Sequence, residues 1–175
     1  MIFTETCLSG AFVIDLEPYR DSRGFFARSF CQNEFKQHGL SPLVAQCNIS
    51  FNISKGTLRG MHYQSPQGEA KLVRCTLGSI YDVIIDLRFN SATYGEVFGT
   101  ELSRKNQLML YIPSGFAHGF LTLEDETEVF YQMSEFYFPE QARGLRWNDP
   151  SFAINWPEPV EVISERDNSY PDFVL

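Results

Sequence analysis

Residues 57–87 read TLRGMHYQSPQGEAKLVRCTLGSIYDVIIDL. Three strand-like runs, 57–64, 71–77 and 79–87, are separated here by a Pro- and Gly-containing turn and by Gly78. Short runs rich in β-branched and aromatic residues and bounded by turn residues read as β-strands. The same rhythm extends outward, to LVAQCNIS (43–50) on one side and to FGTELS (98–103), LMLYIP (108–113), HGFLTL (118–123) and TEVFYQM (127–133) on the other. So many short strands at regular spacing predict an all-β chain folded as a sandwich or barrel.

Towards the N-terminus, AFVIDL (11–16) is a further short strand, followed by a polar turn region, EPYRDSRG (17–24), in which Gly24 can take a positive φ. GFFARSF (24–30) is aromatic and strand-like, and CQNEFKQH (31–38), closed by Gly39, carries the signal of a short helix with a C′ glycine. Pro139, Pro150, Pro157, Pro159 and Pro171 mark an irregular C-terminal tail. Proline cannot donate to a sheet ladder, so the tail is expected over the β-core rather than within its sheets, anchored by Trp147 and Trp156. With no repeat or linker, 1–175 is expected to be a single domain.

Hydrophobic residues make up 43% of the chain and aromatics 15%, enough apolar surface to offset the entropy of ordering. A net charge of −8 disfavours nucleic acid and anionic membranes as partners. No run approaches the roughly 18 apolar residues of a membrane helix, and MIFTETCLSG lacks a basic region followed by an apolar one, so a cytoplasmic protein is expected. Cys7, Cys31, Cys47 and Cys75 form no C-x-x-C pair and are expected to be reduced packing residues. The sequons at Asn48 and Asn52 are incidental in a chain of that kind.

Alternation along the strands singles out side chains that carry chemistry. Lys71 shares parity with Val73, Cys75 and Leu77, and Tyr131 with Val129 and Met133, so both should face the interior. Arg59 and His62 have opposite parity and can share one cavity only if the strand bulges between them, which Gly60 permits. IPSGFAHGF, with His118, looks like the second metal motif of a cupin barrel. The first, normally H-x-H, is here His62-Tyr63-Gln64, so too few ligands remain for a metal site. Set against the metal reading, His118 is a hydrogen-bonded core or turn histidine. A neutral His62 beside the Lys71 ammonium suits removal of a proton from a carbon next to a carbonyl, with the cation stabilising the oxyanion. Tyr131 is either an ordinary barrel aromatic or the acid on the opposite face. Asp167, within Ser164-Glu165-Arg166-Asp167, either binds a backbone N–H at the start of a terminal turn, as a capping pattern suggests, or is the carboxylate that orients His62. Arg23, Arg59 and Arg74 are anion ligands or surface ion-pair residues.

Seven runs in order carry a resemblance: DSRGFF (21–26), QCNIS (46–50), GTLRGMHYQ (56–64), KLVRC (71–75), IPSGFAHGF (112–120), WNDP (147–150) and SERD (164–167). Together they resemble the dTDP-4-dehydrorhamnose 3,5-epimerases, over nearly the whole chain. The resemblance implies a jelly-roll, cupin-like enzyme without metal or cofactor. It also implies a homodimer with exchanged N-terminal strands, inverting C3 and C5 of a 4-keto-6-deoxyhexose carried by a thymidine diphosphate. It makes His62 the base, Asp167 its carboxylate partner, Tyr131 the opposing acid and Lys71 the stabiliser of the enolate oxygen. Arg59, Asn48 and His118 would hold sugar and diphosphate, Arg23 would be an anion ligand supplied across the dimer, and Tyr137 would stack on the base. Asp82 matches a family carboxylate near the site. One position departs: the family often has a glutamate where this chain has Arg28. Inversion at C3 alone, and a non-catalytic sugar-nucleotide-binding jelly roll, are the alternatives.

Overall fold

β-Branched and aromatic side chains at alternate positions favour a pleated, half-buried backbone, and strands dominate the computed structural model, which describes residues 1–173. In chain order they are β1 (Ile2–Glu5), β2 (Phe12–Asp15), β3 (Tyr19–Asp21), β4 (Gly24–Phe26), β5 (Gln46–Asn52), β6 (Thr57–Gln64) and β7 (Lys71–Leu77). There follow β8 (Ser79–Asp86), β9 (Val97–Ser103), β10 (Met109–Ile112), β11 (Phe116–Thr122), β12 (Thr127–Met133), β13 (Ala142–Gly144) and β14 (Val162–Ile163). Helix α1 spans Gln32–Gln37, ended by Gly39 at φ +72°, and a single turn, α2, spans Glu165–Asn168.

Two sheets face each other in the jelly-roll manner. The first runs β1-β2-β10-β7-β12-β5 and the second β13-β6-β11-β8-β9. Between them lies the main core, including Val73 and Cys75 of β7, Ile80 and Ile84 of β8, and Val129 of β12. The outer face of the first sheet packs Leu72 and Met109 against Phe35 of α1, and the outer face of the second packs Val83 and Ile85 against Leu145 and Phe152 of the tail. Strands β7 and β8 are therefore apolar on both faces, which explains their nearly continuous hydrophobic runs. No helix among the described residues is long and apolar enough to cross a membrane.

The predicted strands form, although GFFARSF is strand only over Gly24–Phe26 and β1 was not expected, and four further differences stand out. EPYRDSRG is not a plain turn: β3 and β4 make a hairpin, apart from both large sheets, around Gly24 at φ +127°. The tail does not merely cover the core, because β13 and β14 both pair along the outer edge of β6, at His62–Gln64 and at Thr57–Leu58. Leu77 is 39% exposed despite its parity, because β7 holds one extra residue, Thr76, opposite the step from Glu128 to Val129. Finally, only Cys75 of the four thiols is buried, and Cys7 and Cys47 are exposed, so packing does not account for those two.

The bulge at Gly60 is present. His118 pairs with His62 and Phe120 with Arg59, so β6 holds two residues, Gly60 and Met61, opposite the single Gly119 of β11. Gly60 sits at φ +137°, and a Cβ there would lie 2.5 Å from Gly119 Cα. Neither the dihedral nor the space admits a side chain. Gly60→Ala should therefore cost about 2–4 kcal/mol of stability, measured by urea unfolding. A loss below 1 kcal/mol, about the size of an ordinary surface substitution, would show that the bulge is not tightly held.

Candidate active site

The bulge turns Arg59 and His62 towards the same space, and the strands facing β6 fill the rest of it. A cavity of about 850 Å³ is lined by residues of both sheets, among them Arg59, His62, Lys71, His118, Tyr131 and Asp167, together with Asn48 and Tyr137. Strand register explains the company these side chains keep. On the second sheet His62 lies beside His118. On the first sheet Tyr131 lies between Asn48 of β5 and Val73 of β7, and Met133 between Gln46 and Lys71.

Asp167 reaches His62 because the edge of β6 is shared. After β14 has paired with Thr57 and Leu58, the chain turns at Ser164, whose hydroxyl accepts from Asp167 N at 3.0 Å and caps α2. That single turn aims the carboxylate back at β6. Gly60 N donates to Asp167 Oδ2 at 3.2 Å, and His62 Nε2 donates to Asp167 Oδ1 at 2.8 Å. The capping pattern of the SERD run is present, but Ser164 is the cap, and the Asp167 side chain accepts from Gly60 N and His62 rather than from a backbone N–H of its own turn. Burial pushes the Asp167 carboxyl up, but hydrogen bonding and charge from His62, with the Gly60 and Ser164 contacts, outweigh it and leave a net lowering. The carboxylate is ionised at neutral pH and accepts only. His62 must then present its proton at Nε2 and keep the Nδ1 lone pair for other work.

The remaining groups are held as firmly. His118 Nε2 donates to Asp82 Oδ1 at 2.7 Å, and Asp82 is completely buried, which gives that carboxylate a definite place. Arg59 Nε donates to Asn52 Oδ1 at 2.7 Å, tying the guanidinium to β5. Burial pushes the Tyr131 phenol above its ordinary value while the Arg59 charge pulls the other way, so the hydroxyl keeps its proton at neutral pH. Lys71 Nζ lies 3.1 Å from Glu69 Oε1. Tyr137 is half exposed, and its N–H donates to Gln46 Oε1 at 3.0 Å.

Three sequence-singled arginines, Arg23, Arg28 and Arg74, fall outside this cavity. Arg23 lies on the β3–β4 hairpin, 87% exposed and paired with Asp21. Arg28 donates to Glu34 of α1 at 2.8 Å and lines no part of the cavity in its own chain. Conversely, Gln64, Glu69, Arg143 and Arg166 line the cavity without having been singled out. Glu69 was within reach, since the parity that placed Lys71 inward also covers a residue two positions earlier. Arg166 was not, because its position depends on the turn at Ser164. Among the described residues no three His, Cys, Asp or Glu side chains gather where they could share a metal ion.

Residues 5–174 match the family model for dTDP-4-dehydrorhamnose 3,5-epimerase. A dTDP-4-dehydrorhamnose 3,5-epimerase of Methanothermobacter thermautotrophicus is 45% identical over 171 residues, covering 96% of this chain and 92% of that protein. The crystal structure of a dTDP-4-dehydrorhamnose 3,5-epimerase from Elizabethkingia anophelis superposes with a TM-score of 0.95 at 37% identity, covering 99% of this chain and 96% of that one. A dTDP-6-deoxy-D-glucose-3,5-epimerase from Legionella pneumophila, solved in complex with dTDP-4-keto-L-rhamnose, superposes with a TM-score of 0.91 at 36% identity, covering 97% of this chain and 90% of that one. With the fold, the His62–Asp167 pair and matches over almost its full length, this chain belongs to the dTDP-4-dehydrorhamnose 3,5-epimerase family and is an epimerase.

Proposed function

We propose that the chain inverts C3 and C5 of dTDP-4-dehydro-6-deoxy-D-glucose, giving dTDP-4-dehydro-L-rhamnose, by proton transfer through an enolate. The observation that carries this reading is the placing of His62 on one sheet and Tyr131 on the other, around one cavity. An enolate is planar, and inverting its carbon requires a proton to leave one face and another to arrive at the opposite face. His62 Nδ1 takes the proton from carbon while Asp167 holds the imidazolium that results. The electron pair of the C–H bond moves onto the C4 oxygen, where Lys71 stabilises the negative charge; one such donor is worth about 3 kcal/mol. Tyr131, protonated at neutral pH, returns a proton to carbon from the other side, and exchange with solvent resets both groups. Arg59, His118 and Asn48 hold the sugar and diphosphate, and Tyr137 stacks on the base. This sequence requires no oxidant, metal or cofactor.

The working unit is a homodimer with exchanged N-terminal strands, and the β3–β4 hairpin is the segment that crosses. Tyr19 and Phe26 of this hairpin are 72% and 78% exposed, and on the edge strand β5 Ile49 is 64% exposed. Apolar surface of this extent marks an interface. Arg23, on the hairpin and outside its own cavity, then serves the cavity of the partner. Sedimentation equilibrium should return twice the chain mass, and a fully active monomer would overturn the arrangement.

Incubation with dTDP-4-keto-6-deoxyglucose in D₂O should place deuterium at two carbons, C3 and C5, as read by mass spectrometry. Label at C3 alone would make the protein a C3-epimerase, and no label with any 4-keto sugar nucleotide would remove the enzymatic reading. His62→Ala should slow incorporation by about 10²–10⁴-fold, the usual contribution of a general base. A variant that exchanged at the wild-type rate would take the role of base away from His62.

The Asp167 carboxyl yields a prediction of defined sign. Its folded value lies below the ordinary 3.8, so it adds stability that is present above the unfolded value and lost as pH falls through the folded one. The difference in unfolding free energy between wild type and Asp167→Asn, measured in urea, should shrink as the pH falls below about pH 4. A difference constant down to pH 3 would mean that Asp167 is not held ionised by its contacts.

A further inference from the structure

Of the four lysines in the chain, Lys71 alone is buried. An ammonium withdrawn from water is costly unless an anion and hydrogen bonds replace the water. Glu69 supplies the anion: its Oε1 lies 3.1 Å from Lys71 Nζ, and the two side chains are only 5% and 8% exposed. The second oxygen is used as well, because Gln64 Nε2 donates to Glu69 Oε2 at 2.8 Å. Gln64 then bonds the backbone on either side of Tyr137, donating to Phe136 O at 3.1 Å and accepting from Phe138 N at 2.7 Å. A chain of bonds, buried from the ammonium to Gln64, therefore runs through Glu69 and Gln64 to the segment that carries Tyr137.

The chemistry of this chain dictates the residue at 69. Glu69 stands between two donors, the Lys71 ammonium and the Gln64 amide, and only a carboxylate accepts at both ends. A glutamine there would turn its own N–H₂ towards one of them. Glu69 also lines the cavity, so its charge would oppose an enolate unless the ammonium stood between the two. The observed pairing keeps the ammonium on Glu69 rather than on some other acceptor.

We infer that Glu69 is a positioning residue for the epimerisation: it holds the Lys71 ammonium at the site of the enolate oxygen and, through Gln64, registers it against the segment bearing Tyr137. This rests on Lys71 acting at that oxygen. The role is distinct from neutralising a buried charge for the sake of folding, since a purely structural partner would affect stability without separating kcat from KM.

Glu69→Gln should lower kcat by about 10- to 100-fold, the scale of a small misplacement of a catalytic group, while KM stays within about twofold. Glu69→Asp, which keeps both acceptors on a shorter stem, should recover part of the loss. In the Lys71→Gln background the Glu69→Gln change should cost nothing further, because a residue acting through another loses its effect with it. If Glu69→Gln does not fold, Glu69→Asp in the wild-type background and the double variant, which buries no charge, make the same comparison. An independent readout needs no substrate: with lysine labelled at the ε-carbon, the Lys71 ε-methylene protons should be inequivalent in the wild type and collapse in Glu69→Gln towards the signals of the exposed lysines. A Glu69→Gln kcat within about twofold of wild type, an equal cost in both backgrounds, or an unchanged ε-methylene signal would overturn the inference. Failure of the wild-type protein to incorporate deuterium would instead strike the proposed reaction and leave the ε-methylene comparison standing.

Discussion

The carboxylate of Asp167, shared between the Gly60 amide and His62, is the contact on which the site depends. Strand β6 lies at the edge of the second sheet's main strands, and an edge strand leaves a row of backbone groups to be satisfied. The C-terminal tail meets that demand piece by piece. Strand β14 takes Thr57 and Leu58, Asp167 takes Gly60 N, Leu145 exchanges bonds with Met61, and β13 takes His62 to Gln64. Covering the edge and building the His62–Asp167 pair are therefore one structural event. The bulge at Gly60 makes this possible, since without the extra residue Arg59 and His62 would lie on opposite faces and the carboxylate would have no imidazole to meet.

Much of this was legible because alternation is a local property. The inward aim of Lys71 and Tyr131 follows from counting by two along β7 and β12, and the need for a bulge at Gly60 follows from the failure of that count between Arg59 and His62. Strand limits such as 57–64, 71–77 and 127–133 coincide with the observed ones for the same reason. What could not be read is what depends on contacts between distant segments. Asp167 is separated from His62 by 105 residues, and nothing in either run announces the other. The tail strands β13 and β14 are too short for a periodic signal and exist only because β6 has an edge to offer. In the β3–β4 hairpin only β3 was hidden, since Arg20 and Asp21 leave a three-residue strand without an apolar pattern, whereas GFF of β4 was legible as strand.

Local counting also fails where a bulge intervenes unseen. Leu77 has the parity of a core residue and leaves the core only because Thr76 is unmatched on β12. The cysteines show the limit of composition in another way. Cys75 sits between Val73 and Leu77 on a strand buried on both faces, and burial pushes its thiol up to about 12, which makes it inert. Cys47, on the edge strand β5, is exposed and lines no part of the cavity. One side chain type thus takes two roles, set by strand position rather than by chemistry.

The distribution of charge closes the link from sequence to substrate. The chain carries a net −8, yet its cavity is lined by four cations, Arg59, Lys71, Arg143 and Arg166, against two carboxylates, Glu69 and Asp167. Both carboxylates face a cavity cation or imidazole, Glu69 on Lys71 and Asp167 on His62, so the excess positive charge is left to Arg59, Arg143 and Arg166. A concave site of one sign inside a protein of the other focuses its field on the opening and draws an anion to it. A nucleoside diphosphate sugar is such an anion, and the enolate formed from it adds one more negative charge at the reacting end. Charge arranged in this way acts twice, first on the diphosphate as it enters and then on the oxygen that becomes negative, and the second effect requires a cation held in place before the reaction begins. The buried Glu69–Lys71 pair meets that requirement at the cost of desolvating two charges, a cost that stability alone would not justify.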